Sequence, residues 1–105
     1  MEQISIFELK ERLPSLSKKD LILDVREPDE FEEGRVPGAR NIPMGDVTHY
    51  AKELAEHEKI YVYCHAGRRS QMASIALEKA GLTNLICVSG GGMGDWMDAG
   101  FPFEK

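Results

Sequence analysis

The sequence predicts an α/β fold built on a central parallel sheet of about five strands with helices on both faces. Short apolar runs alternate along the chain with amphipathic stretches. The run at 21–25 (LILDV) is nearly continuous in apolar residues, as is typical of a strand buried on both faces, and 59–64 (KIYVYC) is rich in strand formers. Strands that alternate with helices at this spacing form parallel sheets.

The ends of several elements are marked by proline or glycine. Pro14 ends the first helix, Pro28 and Gly34 bound the second, and Gly81 caps the long helix that precedes it. Strands are expected at 3–6, 21–25, within 36–43, 59–64 and 84–92, and helices at 7–13, 27–34, 44–56, 68–80 and 94–100.

Three helices are expected to turn an apolar stripe towards the sheet, because apolar residues recur in them at helical spacing. The stripes are Phe7, Leu9 and Leu13 in the first helix, Val47, Tyr50, Ala51, Leu54 and Ala55 in the third, and Met72, Ala73, Ala76, Leu77 and Ala80 in the fourth. Trp96 is expected to anchor the core.

Length and composition limit the classes of protein. A chain of 105 residues suits a single domain spanning 1–105 with one core. The net charge of -5 gives no general attraction to nucleic acid or to an anionic membrane. We see no secretory signal in the first 20 residues and no apolar run long enough to span a bilayer, so we expect a cytoplasmic protein.

The two cysteines point to neither a disulfide framework nor a metal site. Only His65 lies near either cysteine, and Cys64 and Cys87 lack the spacing of metal ligands. Cys87 lies within an apolar strand without a neighbouring positive charge, so we expect it in the core. We expect neither a metal nor a cofactor.

Cys64 lies where the strand at 59–64 meets the helix at 68–80. In parallel sheets ligands bind at the carboxyl ends of the strands. The first helical amides lack intrahelical acceptors and can point into the loop, and the positive end of the helix dipole is there too. Gly67 allows a positive φ, while Arg68 and Arg69 add positive charge. These features favour a thiolate nucleophile that could also hold an anionic substrate.

Plainer interpretations compete at several positions. Cys64 could simply be a small apolar residue that closes a strand. His65 is adjacent to Cys64 and is better interpreted as shaping the pocket rim than as a base. His49 and His57 are expected to be solvated. The acidic run between 27 and 33 is explained by a helix start rather than by carboxylate catalysis, and the glycines at 90–92 by a tight turn rather than a phosphate loop.

Three stretches resemble the single-domain rhodaneses, which are thiosulfate sulfurtransferases. They are LILDVREPDEFEEGRVPGARNIP at 21–43, CHAGRRS at 64–70 and VSGGGMGDWMDAGFPF at 88–103, and in this order they cover nearly the whole chain. The sequence departs from the family at Arg35, where a histidine is common, and at Met93, where a tryptophan is more usual.

The resemblance implies a rhodanese-like three-layer fold and a transfer of sulfane sulfur through a persulfide on Cys64. Thiosulfate or a similar donor would supply the sulfur, and cyanide, a thiol or a sulfur-accepting protein would receive it. Asp24 and Arg26 match an element that supports the loop. A monomer or weak homodimer is expected. The substrate-binding loop implied by the resemblance comprises His65, Ala66, Gly67, Arg68, Arg69 and Ser70.

Three other functions are open to the same fold. Phosphatases and arsenate reductases of this type follow a Cys-x5-Arg pattern, whereas here Ser70 takes the sixth position after Cys64, so the loop is one residue too short. A silent binding module typically lacks the cysteine that this chain keeps. A redox-sensing thiol is the third alternative, because an exposed cysteine of low pKa oxidises readily.

Overall fold

The computed structural model describes all 105 residues and has a five-stranded, wholly parallel sheet in the order β1-β5-β4-β2-β3. The predicted α/β class and the helices on both faces are confirmed. The strands are β1 Glu2–Ser5, β2 Leu21–Asp24, β3 Arg40–Asn41, β4 Ile60–Tyr63 and β5 Leu85–Gly90. The helices are α1 Ile6–Arg12, α2 Pro28–Glu33, α3 Ala51–Leu54, α4 Arg68–Lys79 and α5 Met93–Asp98, with 3-10 turns at Leu13–Ser15 and Met44–Tyr50.

The strand β4 separates two cores because its side chains alternate between the faces of the sheet. Ile60, Val62 and Cys64 face the core that α4 covers, whereas Tyr61 and Tyr63 face the core beneath α1 and α5. Each core holds about a dozen buried residues, so the sheet is the middle of three layers. No helix is both long and apolar enough to cross a membrane.

The first helix begins one residue earlier than predicted. Ser5 caps it, with its Oγ accepting a hydrogen bond from the Glu8 amide at 3.0 Å. This start turns Ile6 and Leu9 into the core, leaves Leu13 half-buried and leaves the ring of Phe7 exposed. The expectation that Phe7 faces the core is therefore wrong.

The stretch at 44–56 is not the continuous helix that was predicted. A 3-10 segment runs to Tyr50 and only then does the short α3 begin, with Tyr50 at φ -104° and ψ 7°. The β-branched Val47 and Thr48 disfavour a regular α-helix there. Val47 and Leu54 are buried as expected and Ala51 partly so, whereas Tyr50 and Ala55 are exposed.

The buried face of α4 is rotated from the predicted stripe. Ala73 and Leu77 are buried as expected, but Met72 is 51% exposed and Ala80 is also exposed. Their places are taken by Ser70 and Ser74, both fully buried. The serine at the helix start explains the rotation, because its hydroxyl is tied to the neighbouring strand as described below.

Candidate functional site

Cys64 lies directly after β4, at the carboxyl edge of the sheet, and two backbone amides donate to its sulfur. The Sγ atom accepts hydrogen bonds from the amides of Gly67 at 3.1 Å and Ser70 at 3.3 Å. Donors fixed at these positions stabilise negative charge on the sulfur. The residue is only 1% exposed, which differs from the exposed thiol of the redox-sensing alternative. Sulfur transfer needs access to the same atom, so burial does not separate these two functions.

The loop after Cys64 keeps its shape because Gly67 has no side chain. Gly67 has φ 108° and caps the N-terminus of α4. A Cβ atom there would overlap the backbone of Ser89 in β5. Both the positive φ and the close approach therefore require glycine, and they bring the Gly67 amide to the sulfur.

Ser70 connects the loop to the sheet. Its Oγ lies 2.9 Å from the carbonyl oxygen of Gly67 and 2.7 Å from that of Val88 in β5. Because the hydroxyl has one proton, it donates to one of these oxygens at a time. This contact fixes the rotation of α4 and holds the Ser70 amide towards Cys64.

The glycine-rich turn after β5 holds the other side of the loop. The amide of Met93 donates to the Cys64 carbonyl at 2.8 Å, and the amide of Gly94 donates to the His65 carbonyl at 3.1 Å. A Cβ at Gly92 would overlap the backbone of both loop residues. The tight turn predicted here is confirmed, and its consequence is that the start of α5 can reach the loop.

A buried ion pair supports the site from β2. Asp24 and Arg26 are almost fully buried, with Nη2 of Arg26 donating to Oδ2 of Asp24 at 2.8 Å and to the Gly34 carbonyl at 2.7 Å. The nearby Tyr63 hydroxyl accepts from the Val36 amide at 3.1 Å. Burial, followed by the charge of Asp24, raises the pKa of Tyr63 well above its usual range, so the phenol stays protonated.

A cleft of about 360 Å³ opens beside the loop. His65 is the one loop residue on its wall, which agrees with its expected place at the rim, and Cys64 does not line it. The wall carries three carboxylates and two basic side chains. The lining residues are Arg26, Glu30, Glu33, Gly34, His65, Met93, Gly94, Met97 and Asp98.

Arg69 crosses from α4 to α2 and pairs with Glu30. Its Nη1 and Nη2 atoms donate to the two carboxylate oxygens of Glu30 at 2.7 and 2.9 Å. The hydrogen bonds from Arg69 lower the pKa of Glu30 to about 2. Arg68, by contrast, is exposed and makes no ion pair.

Sequence reasoning missed the partner of Arg69. The expectation of acidic residues at a helix start is confirmed, since Glu30 lies in the first turn of α2 and accepts from the Glu27 amide at 3.1 Å. No local pattern indicates its second contact, because 39 positions separate Glu30 from Arg69. One indirect signal is available in the sequence. The helices that carry Glu30 and Arg69 each follow a strand of the same predicted parallel sheet, so both helices start at the same edge of that sheet.

The remaining predicted side chains lie in separate places. Cys87 is buried within β5, as expected, and Trp96 is buried with its Nε1 donating to the Pro102 carbonyl at 2.8 Å. Ala66 is exposed in the loop. His49 is exposed and His57 is half-exposed, so neither contributes to the site.

Known proteins resemble this chain in sequence. The model of the rhodanese-like domain family matches residues 7–99. YrkF of Bacillus subtilis (strain 168), which is named as a candidate sulfur carrier protein, is 43% identical over 94 residues, covering 90% of this chain and 50% of that protein. The thiosulfate sulfurtransferase GlpE of Pseudoalteromonas translucida is 26% identical, covering 79% of this chain and 80% of the relative.

A solved structure from Rhodopseudomonas palustris CGA009 has the same fold. It superposes with a TM-score of 0.87 at 27% identity, covering 99% of this chain and 85% of that one. That protein is described as one of unknown function and as a candidate tyrosine phosphatase. The present chain thus spans about half the length of YrkF but most of this structural neighbour. With the family model matched over 93 consecutive residues, the chain belongs to the rhodanese-like domain family.

Proposed function

We propose that this chain is a sulfurtransferase that carries sulfane sulfur from thiosulfate, as a persulfide on Cys64, to cyanide or a thiol. The observation that carries the proposal is the pair of backbone amides, from Gly67 and Ser70, directed at the Cys64 sulfur. The relatives named for sulfur transfer and sulfur carriage support the same class of reaction.

The first half-reaction forms the persulfide. The Cys64 thiolate attacks the outer sulfur of thiosulfate, the bond between the two donor sulfurs breaks, and its electron pair leaves with sulfite. The negative charge then lies on the terminal sulfur of the persulfide. The amides of the loop stabilise that charge without needing to reorganise.

The second half-reaction returns the enzyme to its starting state. Cyanide or a thiolate attacks the terminal sulfur, the persulfide bond breaks, and the electron pair returns to the Cys64 sulfur. No general base is required if Cys64 is already ionised, and no metal or cofactor takes part. His65, Ala66, Gly67, Arg68, Arg69 and Ser70 form the proposed cradle for the donor.

The test is steady-state turnover with thiosulfate and cyanide, followed as thiocyanate formation. The native protein should show ping-pong kinetics, and Cys64→Ser should lose turnover while it keeps its fold by circular dichroism. Appreciable turnover in a folded Cys64→Ser variant would remove this residue from the mechanism.

Phosphatase activity is a second candidate because the structural neighbour from Rhodopseudomonas palustris is described in those terms. Against it, the sixth residue after Cys64 is Ser70, and the arginine before it is paired with Glu30. A phosphoester assay run beside the thiosulfate assay separates the two functions. We expect turnover of thiosulfate and no turnover of the phosphoester.

A further inference from the structure

The charges around the Cys64 loop are largely neutralised within the protein. Arg26 is held by Asp24 and by the Gly34 carbonyl, and Arg69 is held through both its terminal nitrogens by Glu30. The cleft beside the loop also carries the carboxylate of Glu33, which makes no ion pair. An incoming dianion therefore meets fewer free cations than the sequence suggests.

Glu30 is held in place from two directions. Its Oε1 atom accepts from the Glu27 amide at 3.1 Å as well as from Arg69, so the helix start positions the carboxylate. The side chains of Glu30 and Arg69 are each about one third exposed, at 32% and 31%. A pair that is partly shielded from solvent is screened less than a surface pair.

Arg69 lies next to a hydrogen-bond donor of the nucleophile. It directly precedes Ser70, whose amide donates to the Cys64 sulfur at 3.3 Å, and its own pKa is raised, first by its hydrogen bonds to Glu30. An anionic donor bound over the sulfur would therefore compete with Glu30 for the same guanidinium. Binding such a donor through Arg69 requires the existing bidentate pair to open or to share its donors.

We propose that Glu30 is a positioning residue that sets the charge of the sulfur donor the site accepts. By holding Arg69, Glu30 weakens the binding of doubly anionic donors such as thiosulfate and favours donors with a single negative charge. The inference rests on the proposed sulfurtransferase function and identifies the donor class for the same site.

The variant Glu30→Gln tests this with little disturbance of the fold. Its amide oxygen can still accept from the Glu27 amide, but the neutral side chain cannot accept from both Arg69 nitrogens. Glu33→Gln is the matched control, because it removes the same charge from the same cleft without touching Arg69.

Two sulfur donors that share the same reacting sulfur separate the effect of the donor's charge from the effect of its shape. Thiosulfate is a dianion, while methanethiosulfonate has a methyl group in place of one charged oxygen and is a monoanion. For Glu30→Gln we expect the KM of thiosulfate to fall by about three- to tenfold, with kcat little changed and the KM of methanethiosulfonate within about twofold. Glu33→Gln should change either KM by less than about twofold.

Several results would overturn the proposal: an unchanged or raised KM for thiosulfate, an equal shift for both donors, or the same gain in Glu33→Gln. Calorimetric binding of thiosulfate to Cys64→Ser, with and without Glu30→Gln, makes the test independent of chemistry. Tighter binding in the double variant supports the role of Glu30, and equal or weaker binding contradicts it. Failure of both donors to load Cys64 would remove the proposed function, while the binding comparison would still decide the role of Glu30.

Discussion

At the scale of single residues, the site depends on two glycines at positions where any larger side chain would overlap the neighbouring backbone. Gly67 brings its own amide to the Cys64 sulfur because its backbone can take φ 108° and lie against Ser89. Gly92 has ordinary extended φ, so its constraint is space alone, against the Cys64 and His65 backbone. The two glycines hold opposite sides of the loop, and each does so for a different physical reason.

Gly67→Ala should therefore destabilise the protein more than another positive-φ glycine does. Gly81 is the matched control, because its φ is 102° but nothing lies within 4 Å of the place a Cβ would occupy. Gly81→Ala should lower the free energy of unfolding by roughly 1–2 kcal/mol. Gly67→Ala should lower it by a further 1–3 kcal/mol or so, because the clash with Ser89 adds strain. Urea denaturation of both variants measures the difference, and equal losses would contradict the close contact.

Cys87 offers a contrast with Cys64 at the same scale. It is buried in β5, and the loop amides donate to Cys64 and not to it. Cys87→Ser should lower the free energy of unfolding by about 1–3 kcal/mol through burial of a hydroxyl, while kcat/KM stays near the native value. Loss of activity in a folded Cys87→Ser protein would show that the residue has a role in catalysis.

The sequence predicts single residues well where one property decides their place. Cys64 follows from its position after an apolar strand, and the burial of Trp96 follows from its size and apolar surface. The contact between Glu30 and Arg69 could not be predicted, because it depends on how two helices 39 positions apart meet above the sheet. A long-range pair of this kind leaves no local periodicity.

At the scale of elements, the Arg69–Glu30 pair joins the start of α4 to the start of α2. Glu30 has a pKa of about 2 in the folded protein, below its ordinary value of 4.5, chiefly because Arg69 donates hydrogen bonds to it. A carboxylate whose pKa is lowered by folding contributes stability that is fully present above the unfolded pKa. That contribution is lost as the pH falls through the folded pKa.

We therefore expect the stability difference between the native protein and Glu30→Gln to depend on pH. Near neutral pH the native protein should be more stable by about 1 kcal/mol, since the pair is partly exposed. The difference should hold down to a pH of about 4.5 and shrink as the pH approaches about 2. Denaturant titrations across this range test it, and a difference independent of pH would contradict the ion pair.

The helices also show what periodicity alone cannot decide. The sequence predicts that α4 exists and where it ends, but its buried face includes Ser70 and Ser74 rather than Met72. The cause is the Ser70 hydroxyl, which lies within hydrogen-bond distance of the Val88 carbonyl and fixes the rotation of the helix. A polar contact at one end of a helix can thus outweigh an apolar stripe along it.

At the scale of the whole molecule, the two cores share one sheet and should unfold together. Trp96, the only tryptophan, lies in the core beneath α1 and α5, and its ring centroid is 5.2 Å from that of Phe101. We expect its fluorescence and the far-ultraviolet circular dichroism to report one coincident transition in urea, as a single cooperative domain requires. Separate midpoints would show that the two faces of the sheet unfold independently.

Intact-protein mass spectrometry after incubation with thiosulfate tests the central claim most directly. The native protein and Cys87→Ser should each gain the mass of one sulfur atom, which cyanide then removes, whereas Cys64→Ser should gain nothing. This result would establish the persulfide and its position. A sulfur retained by Cys64→Ser, or no gain in the native protein with thiosulfate or methanethiosulfonate, would contradict a persulfide carried on Cys64.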